Sequence, residues 1–205
     1  MRVAVVGGTG DFGLALARLL VAGGEDVVVG SRDESRAREA AELVGAGGAT
    51  NEDAVSDADL VVLAVKADAA LDTATALARA IGRTPTLSVA SELVFSKSGI
   101  RPRAPEQSLA EEVARILEGP VAAGLHSLAA STLAKGPADG DALVCGDDED
   151  AKRLALELAA KVVTGRALDA GPLASARALE GMTAVIVNLN RRYKGHAGLR
   201  VTGLP

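Results

Sequence analysis

The feature that most constrains this 205-residue chain is the glycine spacing at its start. Val3-Ala4-Val5-Val6 is a short apolar run that reads as a fully buried strand. It leads directly into Gly7-Gly8-Thr9-Gly10-Asp11-Phe12-Gly13. Phe12 to Val21 then reads as a helix, ended by Gly23-Gly24. Gly8, Gly10 and Gly13 stand at G-x-G-x-x-G spacing. Alone, that pattern carries little weight. Between a strand and a helix it specifies a tight turn whose backbone approaches a pyrophosphate. The helix start adds free N–H groups and partial positive charge. The expected dinucleotide-binding set is therefore Gly8, Thr9, Gly10, Asp11, Phe12 and Gly13.

The second strand, Val27-Val28-Val29, decides which dinucleotide. A site for NAD places an acidic residue at this strand's tip, about 20 residues on, to bond the ribose 2′-hydroxyl. Here Gly30-Ser31-Arg32 stands instead. A hydroxyl and a guanidinium suit a 2′-phosphate, which an acid would repel. Arg36, one helical turn beyond Arg32, reaches the same phosphate or the adenine face. Asp33 and Glu34 lie next door, where they favour a helix N-terminus. The expected cofactor is NADP.

Beyond this unit, strands and helices alternate. Helices are predicted over Glu34–Val44, Ala69–Ile81, Ser108–Glu118 (opened by a Ser108/Glu111 capping box), Asp147–Val163 and Ala174–Arg192. Strands are predicted near Gly48–Thr50 and over Leu60–Val65, Thr86–Val89, Val121–Leu125, Ala142–Cys145 and Arg166–Leu168. Ala90 to Gln107 bears prolines and no periodicity, and is read as one long loop. The pattern predicts an α/β, Rossmann-type doubly wound, mostly parallel sheet. A small C-terminal αβ extension and a long final helix complete it. The expected division is residues 1–140 for the NADP domain and 141–205 for a small domain completing the cleft.

Composition excludes several partners. The net charge is −5, and the aromatics are Phe12, Phe95 and Tyr193 alone. Nucleic acid and anionic membrane surfaces are therefore not expected. No apolar run approaches the ~20 residues that span a bilayer. With a single cysteine, Cys145, expected in the core, the chain is expected to be cytoplasmic. The final helix is apolar over more than one face, which predicts a homodimer.

Met1-Arg2-Val3-Ala4 running into Gly7-Gly8-Thr9-Gly10, followed by Val29-Gly30-Ser31-Arg32, resembles the NADPH-dependent reductases of the deazaflavin coenzyme F420. Gly124-Leu125-His126, Val144-Cys145-Gly146-Asp147-Asp148-Glu149 and Leu168-Asp169-Ala170-Gly171-Pro172-Leu173 extend the resemblance over nearly the whole chain. Arg177, Glu180 and Asn188 in the final helix are also similar. The resemblance implies hydride exchange between NADPH and coenzyme F420, ring against ring, with the protein setting distance and face. It implies that Thr9 to Phe12, Ser31, Arg32 and Arg36 hold NADP. Val65 and Lys66, past the fourth strand, would lie near its ribose or nicotinamide, with Ala90 past the fifth. His126 and Ser127 would approach the small-molecule second substrate. The chain departs from the family pattern at Lys66-Ala67, at Val89-Ala90-Ser91-Glu92 and just after His126, all on the second-substrate side. Those departures leave the alternative of an NADPH-dependent reductase of an imine, enone or dehydroamino acid, and the absence of an unmistakable acid/base set permits a second, a non-catalytic NADP-sensing protein.

Single residues carry further expectations. His126 follows a strand at the edge where ligands collect, and is the candidate catalytic residue. Its two readings are contact with the hydride acceptor, as a hydrogen-bonding group or proton donor, and a partly buried histidine bonded to backbone. Lys66 is a proton donor, a phosphate contact or a solvated lysine. Ser91 and Glu92, in the long loop, have two readings, contact with substrate and a polar surface loop, of which the second is favoured. The run Asp147 to Asp150 reads as a helix cap rather than a cation site, and no metal is expected. The basic stretch Arg191 to Arg200 either attracts an anionic substrate tail or is a loose, solvated terminus.

Overall fold

The computed structural model describes residues 1–103 and 107–204. Its first half follows the apolar runs. β1 (Arg2–Val6), β2 (Asp26–Ser31), β3 (Gly47–Thr50), β4 (Leu60–Leu63) and β5 (Thr86–Ser88) are joined through α1 (Asp11–Ala22), α2 (Glu34–Glu42), α3 (Asn51–Val55) and α4 (Ala67–Ile81). A hairpin, β6 (Leu93–Ser96) and β7 (Gly99–Pro102), precedes α5 (Leu109–Ala114) and β8 (Val121–Gly124). Then follow α6 (Ala130–Leu133), β9 (Ala142–Gly146), α7 (Glu149–Ala160), β10 (Ala167–Asp169), a 3₁₀ turn at Leu173–Ser175, and α8 (Ala176–Tyr193). Among the described residues no helix is long and apolar enough to cross a membrane.

One sheet runs in the order β10-β9-β8-β5-β4-β1-β2-β3. Its pairings are parallel except β8 with β9, where Ala123 faces Cys145. The sheet is mostly parallel, and it continues unbroken past residue 140. Helices cover both faces. Val3, Val5, Leu16, Leu20, Leu60, Val62 and Leu87 pack in one layer; Val6, Val61, Leu63, Ile81 and Val113 pack in the other. Burying each large aliphatic side chain contributes about 1.5–3 kcal/mol. Cys145 is fully buried in the second layer, and burial pushes its thiol up to about 12.

Three expectations change. The stretch read as one loop holds the β6–β7 hairpin, with Phe95 opposite Ile100; residues 104–106 of that stretch lie outside the described residues. The short helices α3 and α6 go unpredicted, being too short for a 3.6-residue period to show. The cap of α7 is Asp148, whose carboxylate accepts from the Ala151 N–H, while Asp147 accepts from the Leu173 N–H at 2.9 Å.

The C-terminal stretch is tied down. The buried Asp141 carboxylate accepts from the backbone N–H groups of Arg166 and Val201, which hold its pKa below the ordinary range. Arg166 donates to the Val201 carbonyl, and Arg200 pairs with Asp139 at 2.7 Å. Arg200 is thus engaged by the protein itself.

Candidate active site

The carboxyl ends of β1, β2, β4, β5 and β8 share one edge of the sheet. The strand order reverses between β1 and β4, the place where open α/β sheets bind ligands. The β1 loop shows why its glycines are required. Gly7 adopts φ +78°, a left-handed conformation open to glycine. A Cβ on Gly8 would stand 2.8 Å from the Val5 carbonyl oxygen, and one on Gly13 2.8 Å from both Gly7 O and Gly8 Cα. Those two are fixed by protein packing. A Cβ on Gly10 would meet only Gly7 O, at 3.4 Å, so its bareness serves what lies outside. Gly13→Ala is expected to cost about 1–3 kcal/mol by overpacking. A thermal melt read with NADPH titration checks it, and an unchanged melting temperature would contradict the packing argument.

Helix starts at this edge differ in their caps. Side chains of Asp33, Thr50 and Ser108 cap α2, α3 and α5. The caps of α1 and α4, Gly10 and Lys66, supply no side-chain acceptor. First-turn N–H groups of α1 therefore face outward unclaimed by a side chain, as an anion site requires. Val65 lies against Gly7, bringing the β4 loop to the phosphate loop. Lys66 is exposed beside it, while Thr9 and Phe12 are half-buried and Asp11 exposed.

At the tip of β2, Ser31 is buried and accepts from the Asp33 N–H at 3.3 Å. The neighbouring acids are both occupied. Asp33 accepts from the Arg36 N–H at 3.2 Å, and Glu34 pairs with Arg38. Arg32 and Arg36 are exposed, and neither guanidinium has an ion-pair partner among the described residues. Two unneutralised cations beside a buried hydroxyl fit a 2′-phosphate.

Across the edge, His126 is buried. It follows Leu125, whose φ of +64° is left-handed although its side chain is fully buried in the core. Such a conformation costs roughly 1–2 kcal/mol and persists because packing over-determines it. It turns the chain back at the strand end. Ser91 Oγ lies 3.1 Å from His126 Nδ1 and 2.7 Å from Thr183 Oγ1. Thr183 Oγ1 donates to the His126 carbonyl at 2.8 Å. His126 Nε2 is buried without a partner among the described residues, and burial lowers the imidazole pKa to about 4. His126 and Ser127 lie against Leu143, Leu179 and Met182 in a crevice too tight to hold a water molecule. Ala90, just before Ser91, is buried.

Comparison with known proteins decides the family. The family described as "NADP oxidoreductase coenzyme F420-dependent" matches residues 2–92. An F420-dependent NADP reductase of Methanothermobacter marburgensis is 37% identical, with all of both chains covered. One from Methanothermobacter thermautotrophicus is 38% identical, covering all of this chain and 96% of the other. The chain belongs to the F420-dependent NADP reductase family. A crystal structure of a candidate F420-dependent NADP reductase from Arthrobacter sp. FB24 superimposes with a TM-score of 0.82 at 25% identity, covering all of both chains.

The structure also sorts the residues on which the resemblance rested. Asn188 accepts from the Ile100 N–H at 2.9 Å and donates to its carbonyl, clasping the hairpin to α8. Glu180 accepts from the N–H groups of Leu109 and Ala110 at the start of α5. Burial raises the Glu180 pKa to about 7, against the pull of those two bonds. Asn188→Ala is expected to speed amide exchange at Ile100 while leaving the β1 strand protected. Equal exchange in variant and parent would contradict the clasp.

Sequence reasoning missed Thr183, a half-buried residue on the inward face of α8 with Leu179, Glu180 and Ala184, with no sequence spacing that links it to His126. It misplaced Ser91, which is half-buried and bonded rather than surface loop. Glu92 does behave as a loop residue, pairing with Arg103.

Proposed function

We propose that this protein transfers a hydride between NADPH and the deazaflavin coenzyme F420. The observation that carries the proposal is the 37–38% identity to F420-dependent NADP reductases along the entire chain. It includes the half that faces the dinucleotide loop as well as the loop itself. In this reading Gly8 to Gly13 and the α1 N-terminus hold the pyrophosphate. Ser31, Arg32 and Arg36 hold the 2′-phosphate, and Val65, Lys66 and Ala90 line the path to the nicotinamide. His126 and Ser127 receive the deazaflavin. Residues 1–140 bind NADP, and residues 141–205 complete the cleft.

The chemistry asks little of side chains. The hydride carries both electrons directly between two rings, so the protein must align the faces and exclude water. An imidazole whose pKa lies near 4 is neutral at pH 7 and does not serve there as the proton donor. The test is loss of the reduced-nicotinamide absorbance when NADPH and oxidised F420 are mixed with enzyme. Tight NADPH binding without exchange would sink the proposal.

We further propose a homodimer in the cytoplasm. Val185, Leu189 and Tyr193 on α8 are exposed apolar residues, as is Phe95 on the hairpin. Light scattering of the purified protein checks the mass.

A further inference from the structure

The polar groups around His126 close into a ring, and counting protons gives it a direction. Thr183 has one hydroxyl proton, and its bond to the His126 carbonyl uses it, because a carbonyl oxygen only accepts. The 2.7 Å contact between Ser91 and Thr183 must then take its proton from Ser91. Ser91 has no second proton for Nδ1 at 3.1 Å. Only a proton on Nδ1 fills that contact; a bare Nδ1 would set two lone pairs against each other. Thr183 lies on α8, His126 after β8 and Ser91 after β5, so three separate elements fix the ring.

The geometry points to Ser91 and Thr183 as positioning residues that lock His126 in its neutral Nδ1–H tautomer, leaving Nε2 as a hydrogen-bond acceptor for an N–H or O–H group of the second substrate. The buried Nε2 has no partner among the described residues, and a buried acceptor left unpaired is destabilising. A donor arriving on the substrate recovers that cost. Tautomers are set in this way by the bond that the other ring nitrogen makes. The role of Nε2 rests on the proposed binding of the second substrate beside His126. The lock itself does not, since it is a property of the protein alone.

The test is nitrogen-15 NMR of the histidine side chains in the full chain, in a His196→Gln background so that His126 is read alone. At pH 7 Nδ1 is expected in the protonated range and Nε2 in the unprotonated range; the reverse, or an exchange average, overturns the lock. Thr183→Val is expected to release the ring to a tautomer mixture. Turnover should fall about tenfold, as the loss of roughly one hydrogen bond implies, at unchanged NADPH affinity. Thr183→Ser should restore both. If Thr183→Val fails to fold, judged by its melt, Ser91→Ala reads the same change. A tautomer that stays locked in the folded variant overturns the proposal even if activity drops. Adding oxidised F420 to the enzyme–NADP⁺ complex, where no hydride can move, should shift the Nε2 resonance upfield. No shift in a complex shown to form by F420 fluorescence overturns the acceptor role. A locked tautomer with no hydride exchange would instead remove the proposed function and leave the lock standing.

Discussion

Arg32→Ala is expected to weaken NADPH binding about 10- to 150-fold and NADH binding hardly at all. Hydrogen bonds to a charged group are worth about 1.5–3 kcal/mol, and a guanidinium can offer two in parallel to one phosphate. NADH lacks that phosphate. The selectivity of the loss matters more than its size. Around Arg32 the acids are already spent, Asp33 on the cap of α2 and Glu34 on Arg38. Arg32 is therefore free to meet an anion rather than a neighbour. Arg36→Ala should show the same selectivity with a smaller loss. Calorimetric titration of both dinucleotides checks this, and equal losses for the two would refute the 2′-phosphate assignment.

The second large effect concerns stability against pH. Two buried groups have pKa values shifted across the range from about 4 to 7. The imidazole of His126 is lowered from 6.5 to about 4, and the carboxyl of Glu180 is raised from 4.5 to about 7. Their signs oppose. Below pH 6.5 an unfolded chain gains a proton that folded His126 refuses, so stability falls as pH drops from 6.5 to about 4. Folded Glu180 keeps a proton that the unfolded chain releases above pH 4.5, so its contribution is full below 4.5 and disappears as pH rises through 7. Each swing is about 3 kcal/mol, from roughly 1.4 kcal/mol per pKa unit. The other lowered carboxyls, Glu25, Asp141 and Asp169, act below that window. The parent protein should thus show nearly level stability from pH 4.5 to 6.5. Glu180→Gln should expose the hidden slope, losing about 3 kcal/mol as pH falls from 6.5 to 4. Urea unfolding across that range measures it. A variant profile as level as the parent's would mean that His126 does not resist protonation.

The sheet was legible because burial on both faces demands continuous apolar strands, and Val3–Val6 and Leu60–Leu63 supply them. The dinucleotide half of the site was legible because its constraint is local: glycines where backbone meets backbone, and a strand tip without an acid. The other half draws on residues far apart in sequence. Ser91, His126 and Thr183 meet only once β5, β8 and α8 are assembled, and no spacing among them announces it. The hairpin carried a signal that prolines obscured. Leu93-Val94-Phe95 is a β-prone run, and Ser98-Gly99 a turn before Ile100. The side chains of Asn188 and Glu180 were noticed by resemblance, but their work on the hairpin and on α5 is structural support.

The reversed direction of β9 has a consequence for how such an enzyme diversifies. In an all-parallel sheet every strand begins at the edge away from the ligands. Here β9 starts at the ligand edge, where Val144 pairs with Gly124 and the Leu143 carbonyl accepts from the Leu125 N–H. The stretch between β8 and β9 therefore starts and finishes at the edge where the second substrate is proposed to bind. Residues gained or lost within it would reshape that edge while the paired strands keep their register. Under the proposed function, a change of length in this stretch is a way to alter the acceptor side that leaves the dinucleotide loop untouched.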